Sequence, residues 1–158
     1  MRYADITQCD LNNGDGVRIS LWTTGCPHHC INCHNEELWE HSTGKIFTED
    51  TLHKLVQLVG DEYVDGLSIL GGEPLAPYNI DGVLKVCKVM KEKYPDKDIW
   101  LWTGYTLDNF KNREELFKDI DVIVDGKYEE SLPTKKNWRG SDNQKMFKNT
   151  NGKFTLVD

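Results

Sequence analysis

Two hydrophobic rhythms alternate along the chain. Val17–Thr23, Leu67–Leu70, Ile99–Trp102 and Val122–Val124 are short runs of apolar, β-branched and aromatic residues, the pattern of strands buried on both faces. Between them the spacing changes. Thr48 precedes Glu49 and Asp50, which suits a capped helix start, and Leu52, Leu55, Val56 and Val59 then recur at helical spacing. A second helix follows Gly71-Gly72, with Ile80, Val83, Leu84, Cys87 and Lys91 on one side and Pro95 beyond its end. Leu107–Phe117 reads as further helical stretches and Phe154–Val157 as a last strand. Residues 126–153 break the regularity. They are polar, with Gly, Ser, Asn, Lys and one Pro, and predict a long loop.

Strand, turn and helix repeated in this order predict an α/β fold, a parallel sheet with helices packed outside it. The chain's 158 residues are too few for an eight-unit barrel, which takes roughly 200 or more. The expectation is an open, partial parallel βα barrel of about five or six strands, folded as one domain over residues 1–158. In such a sheet the carboxyl ends of the strands share one edge, where ligands bind. The turns after the four apolar runs should therefore converge.

Charge and composition narrow the setting. A net charge of −7 repels phosphate backbones and argues against non-specific nucleic-acid binding. No apolar run approaches the ~20 residues of a membrane span, and Met-Arg-Tyr-Ala-Asp does not begin a signal peptide. Five cysteines, odd in number and clustered, argue against a secreted disulfide framework and place the chain in a reducing cytoplasm.

The cysteines also carry the candidate chemistry. Cys26, Cys30 and Cys33 follow the first apolar run, in Gly25-Cys-Pro-His-His-Cys-Ile-Asn-Cys-His34. A structural zinc site or an electron-transfer iron–sulfur cluster usually takes four protein ligands. Three thiolates on a four-iron cluster leave one iron open to a substrate or cofactor. The alternative is a closed zinc site completed by His28, His29, His34 or His41. Cys87, on an apolar helical stripe, reads as an inert core thiol. Trp22, Trp100 and Trp102 read as core, and Glu129-Glu130 as surface.

The other strand ends are equally suggestive. Gly71-Gly72-Glu73-Pro74 offers close backbone approach from its glycines and a carboxylate suited to a ligand ammonium group. Thr103-Gly104-Tyr105 and Asp125-Gly126 close the next two apolar runs. Cys-x3-Cys-x2-Cys followed by Gly-Gly-Glu-Pro resembles the radical S-adenosylmethionine enzymes. Asn13-Gly14-Asp15-Gly16-Val17-Arg18, Trp102-Thr103-Gly104-Tyr105, Asp121–Gly126 and Arg139-Gly140-Ser141-Asp142-Asn143-Gln144 extend the likeness over nearly the whole chain. Together they resemble the family of activating proteins of anaerobic (class III) ribonucleotide reductase.

That resemblance implies a [4Fe–4S] cluster on Cys26, Cys30 and Cys33, with S-adenosyl-L-methionine chelating the fourth iron. It implies that Glu73, with the backbone of Gly71 and Gly72, binds the methionyl ammonium, and that Thr103, Gly104 and Asp125 line the cofactor edge. Asn32, Cys33 and His34 fall at the cofactor side of the cysteine loop. Asn32 stands where many superfamily members have an aromatic residue. The implied activity is reductive cleavage of S-adenosylmethionine to a 5′-deoxyadenosyl radical, which takes hydrogen from a glycine of the partner. The implied partners are the large subunit of the anaerobic reductase and a low-potential electron donor such as flavodoxin. Another glycyl-radical enzyme or a small molecule is the alternative target.

Overall fold

The computed structural model describes residues 1–157 and carries one eight-stranded mixed sheet. Four strands form its parallel centre: β2 (Arg18–Thr23), β4 (Gly66–Gly71), β5 (Asp98–Trp102) and β6 (Val122–Asp125). Two more lie outside β2, namely β1 (Arg2–Asp10), antiparallel to it, and the two-residue β3 (Lys45–Ile46). On the far side β7 (Lys145–Thr150) runs antiparallel to β6, and β8 (Lys153–Val157) antiparallel to β7. The spatial order is β3-β1-β2-β4-β5-β6-β7-β8.

Two of the three parallel crossovers contain helices, α1 (Glu49–Val59) and α2 (Ile80–Lys93). Thr48 caps α1 in a reciprocal arrangement with Thr51, satisfying backbone N–H groups that the first turn leaves free. α1 buries Leu52, Leu55 and Val59, and α2 buries Val83, Val86, Cys87 and Met90. The third crossover uses two short 3-10 turns, Leu107–Phe110 and Glu114–Phe117, where the sequence predicts helical stretches. Arg113 and Asn112 interrupt them: Arg113 is out of the helical region and Asn112 has φ of 67°.

Side chains alternate across the sheet. Ile19, Leu21, Leu67, Ile69, Ile99, Leu101 and Ile123 face the helices and make the main core. The opposite face carries Ser20, Ser68, Leu70, Trp100, Trp102, Val122 and Val124, where Trp100, Val122, Val124 and Met146 form a second cluster under Trp138. Trp100 is core, as the sequence predicts, whereas Trp102 also borders a cavity and donates from Nε1 to the Trp138 carbonyl at 2.8 Å.

Two expectations are corrected. The parallel strands number four rather than five or six, because the remaining strands enter antiparallel at both flanks. The loop expected over 126–153 ends at 144: residues 145–150 pair with β6 and 153–157 pair back onto 145–150. Lys-Met-Phe-Lys-Asn-Thr turns only Met146 fully inward, so its polarity hides a strand whose backbone the β6 edge satisfies.

Candidate active site

The loop after β2 carries the three cysteines and is anchored at its start. Gly25 donates its N–H to the Leu38 carbonyl at 2.8 Å, and Cys26 donates to that of Trp39 at 3.0 Å. His29 and Asn32 both have positive φ, 48° and 55°, which turns the loop back so that Cys26, Cys30 and Cys33 line one cavity. All three thiols are partly accessible and free of disulfides, while Cys87 is buried and Cys9 lies exposed in β1. Burial pushes the Cys26 thiol up; the Glu73 and Cys30 charges add to this, and the His28 and His29 N–H groups oppose it. Ligation must therefore displace a proton at Cys26. Burial likewise holds the Cys87 thiol protonated, the inert core role expected of it.

The same cavity, about 750 Å³, is bordered by Gly71, Gly72, Glu73, Thr103 and Gly104. Gly71 has φ of 136°, and a Cβ there would run into the Thr23 backbone of the neighbouring strand. The glycine pair is thus fixed by the close passage of chain at the sheet edge. Glu73 is fully buried. Its Oε1 accepts from Gly104 N at 2.7 Å and lies 2.7 Å from His28 Nε2; its Oε2 accepts from Thr103 Oγ1 at 2.7 Å and Leu75 N at 2.9 Å.

Asp125 lies apart from the cysteines. It borders a second cavity of about 710 Å³, shared with Tyr105, Leu107, Asn143 and Phe147, and its Oδ2 accepts from Leu107 N at 2.8 Å. Burial pushes its carboxyl up, against the Leu107 N–H and the Lys145 charge. His28 and Gly104 border both cavities and form the wall between them. Asn32 is drawn to the 126–144 loop, donating from Nδ2 to Glu130 Oε2 at 2.5 Å, and the His34 ring packs 4.8 Å from Tyr128. The pair Glu129-Glu130, read from sequence as surface, therefore gives one member to a clasp on the cysteine loop.

These positions fit a cluster held by three thiolates. Of the candidate fourth ligands, His28 hydrogen-bonds Glu73, while the rings of His29, His34 and His41 pack against Trp39, Tyr128 and Tyr78, at 4.4 Å between centroids for His29. Among the described residues, no three His, Cys, Asp or Glu side chains are gathered tightly enough to hold a single metal ion. Sequence reasoning missed His28 as the partner of Glu73. Its position between two candidate ligands was visible, but the contact spans 45 residues.

Comparison with known proteins gives this geometry a family. Residues 12–147 match the model of the 4Fe-4S single cluster domain. The anaerobic ribonucleoside-triphosphate reductase-activating protein of Enterobacteria phage T4 is 46% identical over 152 residues, 96% of this chain and 97% of that protein. The proteins of the same name from Vibrio cholerae and Escherichia coli K12 are 39% and 36% identical, covering 95% and 91% of this chain and 99% and 96% of theirs. With the cysteine loop and its neighbours in place at one sheet edge, the chain belongs to the family of anaerobic ribonucleoside-triphosphate reductase-activating proteins, built on a 4Fe-4S single cluster domain.

Proposed function

We propose that this chain generates the glycyl radical of an anaerobic ribonucleotide reductase by radical S-adenosylmethionine chemistry. The observation that carries the reading is the single cavity bordered by three free thiols and the Gly71–Glu73 turn. Cys26, Cys30 and Cys33 would hold the [4Fe–4S] cluster, and Glu73 with the Gly71 and Gly72 backbone would receive the methionyl ammonium. When bound, the cluster and S-adenosylmethionine supply one-electron cleavage of the sulfonium bond, yielding methionine and a 5′-deoxyadenosyl radical that takes hydrogen from a glycine of the reductase. The protein's own part is to orient these groups and to exclude water. Thr103 and Gly104 hold the Glu73 carboxylate, and Trp102 with Trp138 closes the apolar side of the cavity. His34 borders the same cavity, whereas Asn32 would act through its bond to Glu130 and Asp125 from the adjoining second cavity.

The reading extends to setting and fold. The four parallel strands would form an open, partial βα barrel, and the free thiols suit a reducing cytoplasm. No described helix is long and apolar enough to cross a membrane. The electron would come from a low-potential donor such as flavodoxin, and the partner would be the reductase large subunit.

Anaerobically reconstituted, reduced protein mixed with S-adenosylmethionine and the reductase large subunit should give a glycyl-radical doublet by electron paramagnetic resonance, with 5′-deoxyadenosine as co-product. Bound zinc with no iron–sulfur absorption would refute the chemistry. Formation of 5′-deoxyadenosine without the doublet would retain the chemistry and move the target to another glycyl-radical enzyme or a small molecule.

A further inference from the structure

We propose that His28 is a placeholder on Glu73, filling the donor position that a ligand ammonium group takes over, and that it swings out of the site when that ligand binds. The inference rests on the reading of Glu73 given above and adds a residue to which that reading assigns no role. A carboxylate accepts about four hydrogen bonds, and Glu73 already has four donors with no solvent exposure. An ammonium group can reach it only by replacing one of them.

Three of the four are fixed. Leu75 N and Gly104 N are backbone groups of strand-end turns, and Thr103 is pinned by its own N–H to the Val124 carbonyl at 3.0 Å. The fourth, His28 Nε2, belongs to the cysteine loop, whose backbone anchors at Gly25 and Cys26 precede it. It is the replaceable donor.

The seat of the imidazole is made for it and has an exit. A Cβ on Gly104 would lie 2.5 Å from His28 Cδ2 and 2.7 Å from Nε2, so the ring requires bare backbone beneath it. The ring also meets Tyr105 edge-on at 4.6 Å between centroids. Since His28 is part of the wall between the two cavities, a side-chain rotation can carry it from one side toward the other. Leaving would uncover Glu73 Oε1 on the cysteine side. While seated, His28 fills the one acceptor position of a buried carboxylate that its three fixed donors leave open.

The test compares wild type with His28→Ala and His28→Gln, each reconstituted with iron and sulfide and assayed for iron content. Equilibrium dialysis, scaled to loaded cluster, gives affinities for S-adenosylmethionine and for its analogue lacking the amino group. His28→Ala should bind S-adenosylmethionine roughly tenfold more tightly than wild type, because no donor has to be displaced. His28→Gln, which keeps a donor, should fall between the two, and the analogue should bind all three proteins alike. Unchanged or weaker binding of S-adenosylmethionine by His28→Ala, or an equal gain for the analogue, overturns the proposal. So does loss of iron in both variants, which would make His28 a cluster-retention residue. If fully loaded wild type binds no S-adenosylmethionine, the reading of the whole site falls, and His28 with it.

Discussion

Arg18 and Glu73 are fully buried charged side chains at opposite edges of the same parallel strands. At the amino edge, Arg18 uses all five N–H donors. Nε bonds Ser68 Oγ at 2.6 Å, Nη1 the Asp15 carbonyl and Asp98 Oδ1 at 2.8 Å each, and Nη2 the Leu67 and Asp98 carbonyls. Its guanidinium also sits 5.4 Å from the Trp100 ring. Most of these partners sit in the sheet itself, so the cluster has one arrangement. At the carboxyl edge Glu73 is just as completely satisfied, yet one of its donors rides on the loop that carries the cysteines. Burial and full hydrogen bonding therefore do not separate a structural cluster from a functional one. The separation lies in where the partners come from: rigid strands lock a charge in place, whereas a loop donor leaves a position that can be exchanged.

The sharpest way to break this comparison is to remove one residue from each edge. Cys30→Ala should abolish cluster loading and radical formation outright, because two thiolates do not retain the cluster. Iron and sulfide analysis with the paramagnetic-resonance assay checks this. Folding stability should change by less than about 0.5 kcal/mol, since Cys30 is only partly buried. Arg18→Ala should do the reverse. It strands the buried acceptors on Ser68 and Leu67, releases the half-buried contacts to Asp15 and Asp98, and empties a packed site, costing about 3 kcal/mol of stability by urea unfolding. The upper end of the range for broken buried pairs is not expected, because the Asp98 side chain is 41% exposed. Residual folded Arg18→Ala should still load iron. Near-normal stability in that variant would show that the amino edge is no lock.

The two edges were unequally legible in the sequence. The parallel strands announce themselves because both faces are buried, leaving apolar runs that stop just before Gly25, Gly71, Gly104 and Gly126. The cysteines and Gly71-Gly72-Glu73 stand at those stops, so their convergence follows from topology alone. β1 and β7 are different. Arg2–Asp10 alternates poorly, with register shifts between Tyr3 and Asp5 and between Thr7 and Asp10, and Lys145–Thr150 buries a single Met. Their pairing is decided by a neighbouring strand rather than by their own pattern. The Arg18–Asp98 lock and the His28–Glu73 contact were hidden for the same reason, each joining residues that only the folded sheet brings together.

The smallest expected effects separate the edges by sign. At the amino edge burial pushes the Asp10 carboxyl up, but the Asn13 and Ser20 side chains, the Asn12 N–H and the Arg18 charge outweigh it and hold it below the ordinary carboxylate range. At the carboxyl edge burial prevails, and Asp125 is held above that range. An acid depressed in the folded state adds stability above its unfolded value, and that stability is lost as pH falls through the depressed value. An acid raised in the folded state subtracts stability above its raised value, and the penalty is relieved as pH falls from there toward the unfolded value. Asp10→Asn should therefore lower the Tm at pH 7, by roughly 3 °C for about 1 kcal/mol of hydrogen bonding, with the gap closing only in strong acid. Asp125→Asn, which keeps an acceptor for the Leu107 N–H, should raise the Tm at pH 7, and its gap should close at a higher pH. Thermal unfolding of the cluster-free proteins followed by circular dichroism between pH 3 and 8 measures both. If the two gaps share a sign, the edges do not differ electrostatically, and the contrast between them reduces to loop mobility alone.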